Sequence, residues 1–118
     1  MNTSDNNIEN KTASDPIDRL IYEYNFRIKL VVPVKAEDSL IVFLNKGKHI
    51  SVHLSSFPRL KDASQKELDS WSLISDGIGI EWPDVDEDLS LKGLLKQFIT
   101  ESAINFLTGG ENTLAMAA

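Results

Sequence analysis

The chain has 118 residues, 42% hydrophobic and 25% charged, with a net charge of −6 and no cysteine. That is enough for one small domain with one core, and it excludes disulfides, thiolate chemistry and the usual zinc sites. The acidic balance also excludes nonspecific DNA or RNA binding, because such proteins neutralise phosphates with Lys and Arg.

Residues 1–16 are rich in Asn, Ser, Thr and Asp and read as a disordered leader. They contain no apolar secretory core, and the apolar runs at residues 30–34, which holds a proline, and 40–44 are too short to cross a bilayer. A cytoplasmic protein without a membrane partner is therefore expected. Residues 17–108 read as a single α+β domain and residues 109–118 as a flexible tail.

Ile17, Leu20, Ile21 and Tyr24 suit a helical face, although Leu20-Ile21-Tyr22 also suits the start of a strand. From Phe26 the period becomes two. Phe26, Ile28, Leu30 and Val32 are expected on the buried face, against Arg27, Lys29 and Val31 outside. Leu40 to Leu44 makes a second strand after the turn at Glu37-Asp38-Ser39. Asn45-Lys46-Gly47 signals a hairpin, and His49 to Leu54 returns with Ile50, Val52 and Leu54 inward. In Ser55-Ser56-Phe57-Pro58-Arg59-Leu60 the proline drives Phe57 out of helical geometry. Ser64 and Glu67 have the spacing of a capping box over a short helix. Trp71 to Ile74 and Ile78 to Trp82 follow as antiparallel strands.

The last element is a helix. Leu91, Leu94, Leu95, Phe98, Ile99, Ser102, Ala103, Phe106 and Leu107 form one stripe. Asp88 or Ser90 is its cap, the preceding carboxylates complement its dipole, and Gly109-Gly110 ends it. Its half beyond Phe98 serves either the core or a partner groove. The expected fold is α+β, a small antiparallel sheet of about four to five strands with this helix packed on one face.

Charge is unevenly distributed. Residues 27–61 hold seven basic and two acidic side chains, whereas residues 62–91 hold nine acidic ones and only Lys66 basic. Either the two halves offset each other within the fold, or an acidic face attracts a basic partner. Asp84, Asp86 and Asp88 imitate the opening of a calcium loop, but Leu89 stands where its glycine belongs and Leu95 where its glutamate belongs. His49 and His53, roughly 13 Å apart along a strand, cannot share a metal. No phosphate loop or nucleophile elbow is present. No catalytic, cofactor or metal residue is assigned, and the protein is read as a non-enzyme. Trp71, Trp82, Phe57 and Pro58 either wedge the sheet against the helix or anchor an interface.

Phe57-Pro58-Arg59-Leu60, Trp71, the run from Gly77 through Ser90 and Gly93-Leu94-Leu95 together resemble the domain of unknown function 2442 family, over about residues 33–95. The resemblance implies a small α+β unit and, for short members, an antitoxin-like half of a bacterial two-gene toxin–antitoxin module. Glu81 stands where the family commonly has His, and the chain before residue 26 and the helix beyond Lys96 are extra. The expected function is a non-enzymatic protein-binding module that occludes a small basic toxin. Its partner-binding residues would be Phe57, Arg59, Trp82, Asp84, Asp86, Glu87, Asp88, Phe98 and Phe106. The alternative is a structural or adaptor protein that self-associates as a homodimer through the last helix.

Overall fold

The structure, a computed structural model, describes residues 15–110. Of the expected leader (1–16) and tail (109–118), residues 1–14 and 111–118 lie outside the described residues, while Asp15 and Pro16 belong to a helix, as its cap and first residue. The Leu20-Ile21-Tyr22 ambiguity resolves as helix α1 (Pro16–Tyr22). Asp15 Oδ1 accepts from the backbone N–H of Ile17 (2.9 Å) and Asp18 (3.3 Å), and Pro16 opens the first turn, where its missing N–H costs nothing. Arg27 Nη1 donates to the carbonyls of Ile21 and Phe26, both at 2.7 Å, and places a cation at the helix C-terminus.

Strands β1 (Ile28–Val34), β2 (Ser39–Leu44) and β3 (His49–His53) form an antiparallel sheet in that order. Ile50, Val52 and Leu54 are buried, as alternation predicts, and Leu40, Val42 and Leu44 are the buried face of the apolar strand β2. The expectation for β1 needs correction. Ile28 and Val31 are buried, but Leu30 is exposed. The register with β2 shifts between Ile28 and Leu30. A bulge adds a residue there, so the pleat restarts on the opposite parity. Leu30 then lies opposite Phe43 on the outer face, where the Phe43 and His49 rings are 5.4 Å apart. Lys46 and Gly47, at φ 66° and 72°, make the tight β2–β3 turn.

After β3 the chain leaves the sheet. Leu54–Ser56 is a 3-10 turn, α2 (Pro58–Lys61) starts at the proline with Phe57 extended at its N-cap, and α3 (Gln65–Asp69) carries the predicted capping box. Gln65 turns its amide onto the open edge of β1, donating to Pro33 O (2.8 Å) and accepting from Lys35 N (2.8 Å). This satisfies edge groups that would otherwise invite another strand.

Strands β4 (Ser72–Ile74), β5 (Gly79–Trp82) and β6 (Glu87–Ser90) form a second antiparallel sheet. The single sheet of four to five strands is thus replaced by two sheets of three. Residues 54–71 carry the chain out of the first sheet, and the acidic junction contributes the sixth strand. Two of the turns share a device: the 3-10 turns Lys35–Glu37 and Pro83–Val85 each close on a left-handed aspartate, Asp38 (φ 51°) and Asp86 (φ 54°). A short polar side chain tolerates that conformation better than most. The β4–β5 turn, with Ser75, Asp76 and Gly77 all at positive φ, lies against Ile28 of β1.

Helix α4 (Leu91–Leu107) follows β6 directly. Ser90 Oγ caps it by accepting from Gly93 N at 2.9 Å, and its first turn holds no acidic residue. Leu91, Leu94 and Leu95 enter one core cluster shared with both sheets, with Phe98 packed on its margin. Lys92 reaches across to Asp15 (3.1 Å) and Asp18 (3.0 Å), joining α4 to α1.

Candidate functional site

The acidic junction is a hairpin and not the dipole complement that its sequence suggests. The β5–β6 register pairs Glu81 with Asp88 and Trp82 with Glu87. Side chains paired across antiparallel strands share a face at roughly 5 Å, so Glu81 and Asp88 form a like-charge pair, an arrangement that weakens a sheet. β4 extends the row with Ser72, whose hydroxyl donates to Glu81 Oε2 at 3.1 Å. At the turn, Asp84 and Asp86 project into solvent, and Asp86 is 99% exposed. Arg59 Nη1 donates to the Asp86 carbonyl and lies 3.4 Å from its Oδ2. Among the described residues no cation pairs with Glu81, Asp84, Glu87 or Asp88. Glu81 on the central strand β5 and Asp88 on the edge strand β6 therefore present negative charge across the face of the second sheet away from Trp82, whereas Glu87 pairs with Trp82 on the other face.

The expected partner-binding residues divide into three places. Arg59 and Asp86 are brought together, with Asp84, Glu87 and Asp88 on the same hairpin and Phe57, half-buried, two residues before Arg59. Trp82 is corrected: its side chain is 0% exposed, and its Nε1–H donates to Leu68 O at 2.9 Å, so it is a core residue and no interface anchor. Strand alternation turns it inward, opposite in sense to Glu81. Phe98 packs on the core margin, and Phe106, 81% exposed, lies two turns further along α4. The helix rises about 1.5 Å per residue, so Phe106 lies more than 20 Å from the end where β6 joins. The acidic face and the apolar helix tip are separate surfaces.

Glu81 and Glu101 were not singled out as site residues. Strand alternation and the short turn hold the signal for Glu81. Glu101 on α4 accepts from His53 N (3.2 Å), Ser56 Oγ (3.0 Å) and Gln97 Nε2 (2.9 Å), and its Oε1 meets His53 Nδ1 at 2.9 Å. His53 is thus a half-buried tether to α4. Ser56 and His53 both bond the carboxylate, an arrangement that fastens the helix to the end of β3 and to the 3-10 turn after it. A cavity of about 380 Å³ opens where Gly77 meets β1, lined partly by Arg27, Lys29 and Asp76. The Arg27 guanidinium there is already engaged by two carbonyls. Among the described residues no group of three or more His, Cys, Asp or Glu is placed to hold a metal ion, and no helix is long and apolar enough to cross a membrane.

Curated proteins offer no match. Two solved structures are similar. A protein of unknown function from Rhodospirillum rubrum shares 27% identity over 60% of this chain and 86% of its own, with a TM-score of 0.55. An uncharacterized protein from Chromobacterium violaceum, solved in solution, shares 22% identity over 75% of this chain and 81% of its own, with a TM-score of 0.57, a likeness of fold alone. The family model described as "Protein of unknown function (DUF2442)" matches residues 29–100, which span both sheets and the core half of α4. On that match the chain belongs to the DUF2442 family.

Proposed function

We propose that the protein is a non-enzymatic protein-binding module whose acidic β5–β6 face takes a basic protein, in the manner of an antitoxin that covers a small toxin encoded beside it in a bacterial two-gene module. The observation that carries this reading is the carboxylate row. Glu81 and Asp88 face each other without a cation from the described residues, and Asp84 and Asp86 extend the charge into solvent. A like-charge pair costs stability in the free protein, and a Lys/Arg-rich surface would relieve it. A protein that acts on RNA carries such a surface, so an acidic face steers it and then blocks it. Half-buried Phe57, two residues before Arg59, is the expected apolar contact that remains on this side of the molecule, since Trp82 is buried.

Co-expression with the product of the adjacent gene tests the reading. A complex should be captured at low salt, weaken as ionic strength rises, and weaken at least tenfold when Glu81, Asp86 and Asp88 are replaced together by Gln, Asn and Asn. No complex at low salt would remove the proposal.

A further inference from the structure

Helix α4 carries two apolar stripes, and only one of them is used. Leu91, Leu94, Leu95 and Phe98 face the core. Ile99, Ala103, Phe106 and Leu107 follow the i, i+4, i+7, i+8 spacing of a second stripe. At about 100° per residue this stripe is turned well away from the core side. Ile99 is 50% exposed, Phe106 81% and Leu107 78%. Glu101 bonds His53 of β3 and Ser56 of the 3-10 turn after it, which fixes the rotation of α4 and holds the second stripe outward.

We propose that this stripe pairs with the same stripe of a second copy of the chain, the two α4 helices crossing antiparallel about a two-fold axis at Ala103. Charge argues for this occupant over a basic or acidic one. Residues 102–110 contain no charged side chain, so two copies of a protein with net charge −6 meet there without like-charge contact, whereas a basic surface would lose hydration with nothing to pair. The geometry is self-complementary as well. With Ala103 on the axis, Ile99 of one copy packs on Leu107 of the other. Ala103 meets its own mate, and its single methyl permits close approach of the backbones.

The helix end supplies a further argument. The last turn of α4 holds no basic residue to complement its negative dipole end. Lys96, one turn before Ile99 on the same stripe and exposed, falls opposite the partner's helix end in this arrangement. The exposed apolar side chains amount to roughly 500 Å² a copy, or about 1,000 Å² for a pair, at the lower limit for a specific interface. The association is therefore expected to be concentration-dependent.

Light scattering or sedimentation of the full chain from about 1 μM to 1 mM reads the mass. The expected result is a rise from one chain of 13.2 kDa toward twice that, with Phe106→Lys weakening association at least tenfold. Phe106 is surface-exposed, so at about 1 μM, where both proteins are single chains, the variant's far-UV circular dichroism and melting temperature should match the parent's. Because the chain has no cysteine, single thiols report the register. Ala103→Cys should cross-link under oxidant at least tenfold faster than Thr100→Cys, whose mates would be about 9 Å apart along the axis, beyond disulfide reach. A monomer throughout the range overturns the proposal, whether the stripe is then covered by residues 111–118 or by another protein. So does a dimer indifferent to Phe106→Lys, or one in which Thr100→Cys cross-links the faster.

Discussion

Replacing Gly77 with alanine tests how the two sheets are joined. Gly77 has φ +90°, and a Cβ built there would lie 2.5 Å from Ile28 O and 3.1 Å from Ile28 N. Two costs combine. An L-residue in this left-handed region is strained by about 1–2 kcal/mol. An ordinary carbon–oxygen contact is about 3.3 Å or more, so the methyl overlaps backbone by most of an ångström. Because backbone cannot swing aside as a side chain does, relief requires the turn and β1 to separate, at about 1–3 kcal/mol. The expected total is about 3 kcal/mol, a large share of the roughly 5–15 kcal/mol that holds a domain.

Gly47→Ala is the matched control, because φ there is +72° but nothing lies within 4 Å of the added carbon. It carries only the conformational cost, about 1 kcal/mol. Urea denaturation, read by tryptophan emission, should place the Gly77→Ala midpoint well below that of Gly47→Ala at unchanged slope. Thermal melting should separate the two by roughly 8–16 °C, at about 4–8 °C for each kcal/mol. Equal shifts for the two variants would refute the close approach as the reason for glycine at position 77.

Trp82→Phe should destabilise by about 2–4 kcal/mol. The change leaves the buried Leu68 carbonyl without its 2.9 Å donor and opens a small cavity. A loss under 0.5 kcal/mol in the same urea assay would show that Leu68 finds another partner. Lys92 links stability to pH at both extremes. Its hydrogen bond chiefly lowers the Asp15 carboxyl below its ordinary 3.8, and its bonds to Asp18 and then Asp15 raise the Lys92 ammonium above its ordinary 10.5. The Asp15 contribution is therefore present above 3.8 and is lost as pH falls through the depressed folded value. The Lys92 contribution is present below 10.5 and is lost as pH rises through the elevated one. Melting temperatures of Lys92→Met against the parent should differ most between these limits and converge beyond them; a constant difference at every pH would discount the ion pairs.

Local signals in the chain carried much of the fold. Asn45-Lys46-Gly47, Ser64 with Glu67, and Ser90 before the leucine stripe each specify a turn or cap within four residues, and each is found where its spacing puts it. Alternation placed Ile50, Val52 and Leu54 inside. It failed in β1 because a bulge inverts parity and leaves no mark in a run as uniformly apolar as residues 30–34. At the acidic junction a different signal misleads: four carboxylates before a helix suggest a dipole complement, and a hairpin forms instead. There Pro83 and the left-handed Asp86 make a turn of the kind that Asp38 makes earlier in the chain.

The chain by itself determined the class, α+β, the absence of cysteine chemistry, the family, and the charge that singles out residues 81–88. These depend on composition and on spacings shorter than one element. Only the tertiary structure decided that Trp82 is buried while its neighbour Glu81 joins an acidic row, that the strands divide into two sheets, that Glu101 clamps the last helix, and that the helix leaves its second stripe uncovered. Each of these depends on which distant residues arrive at the same place, through register and packing across tens of residues, and no local pattern encodes that arrival.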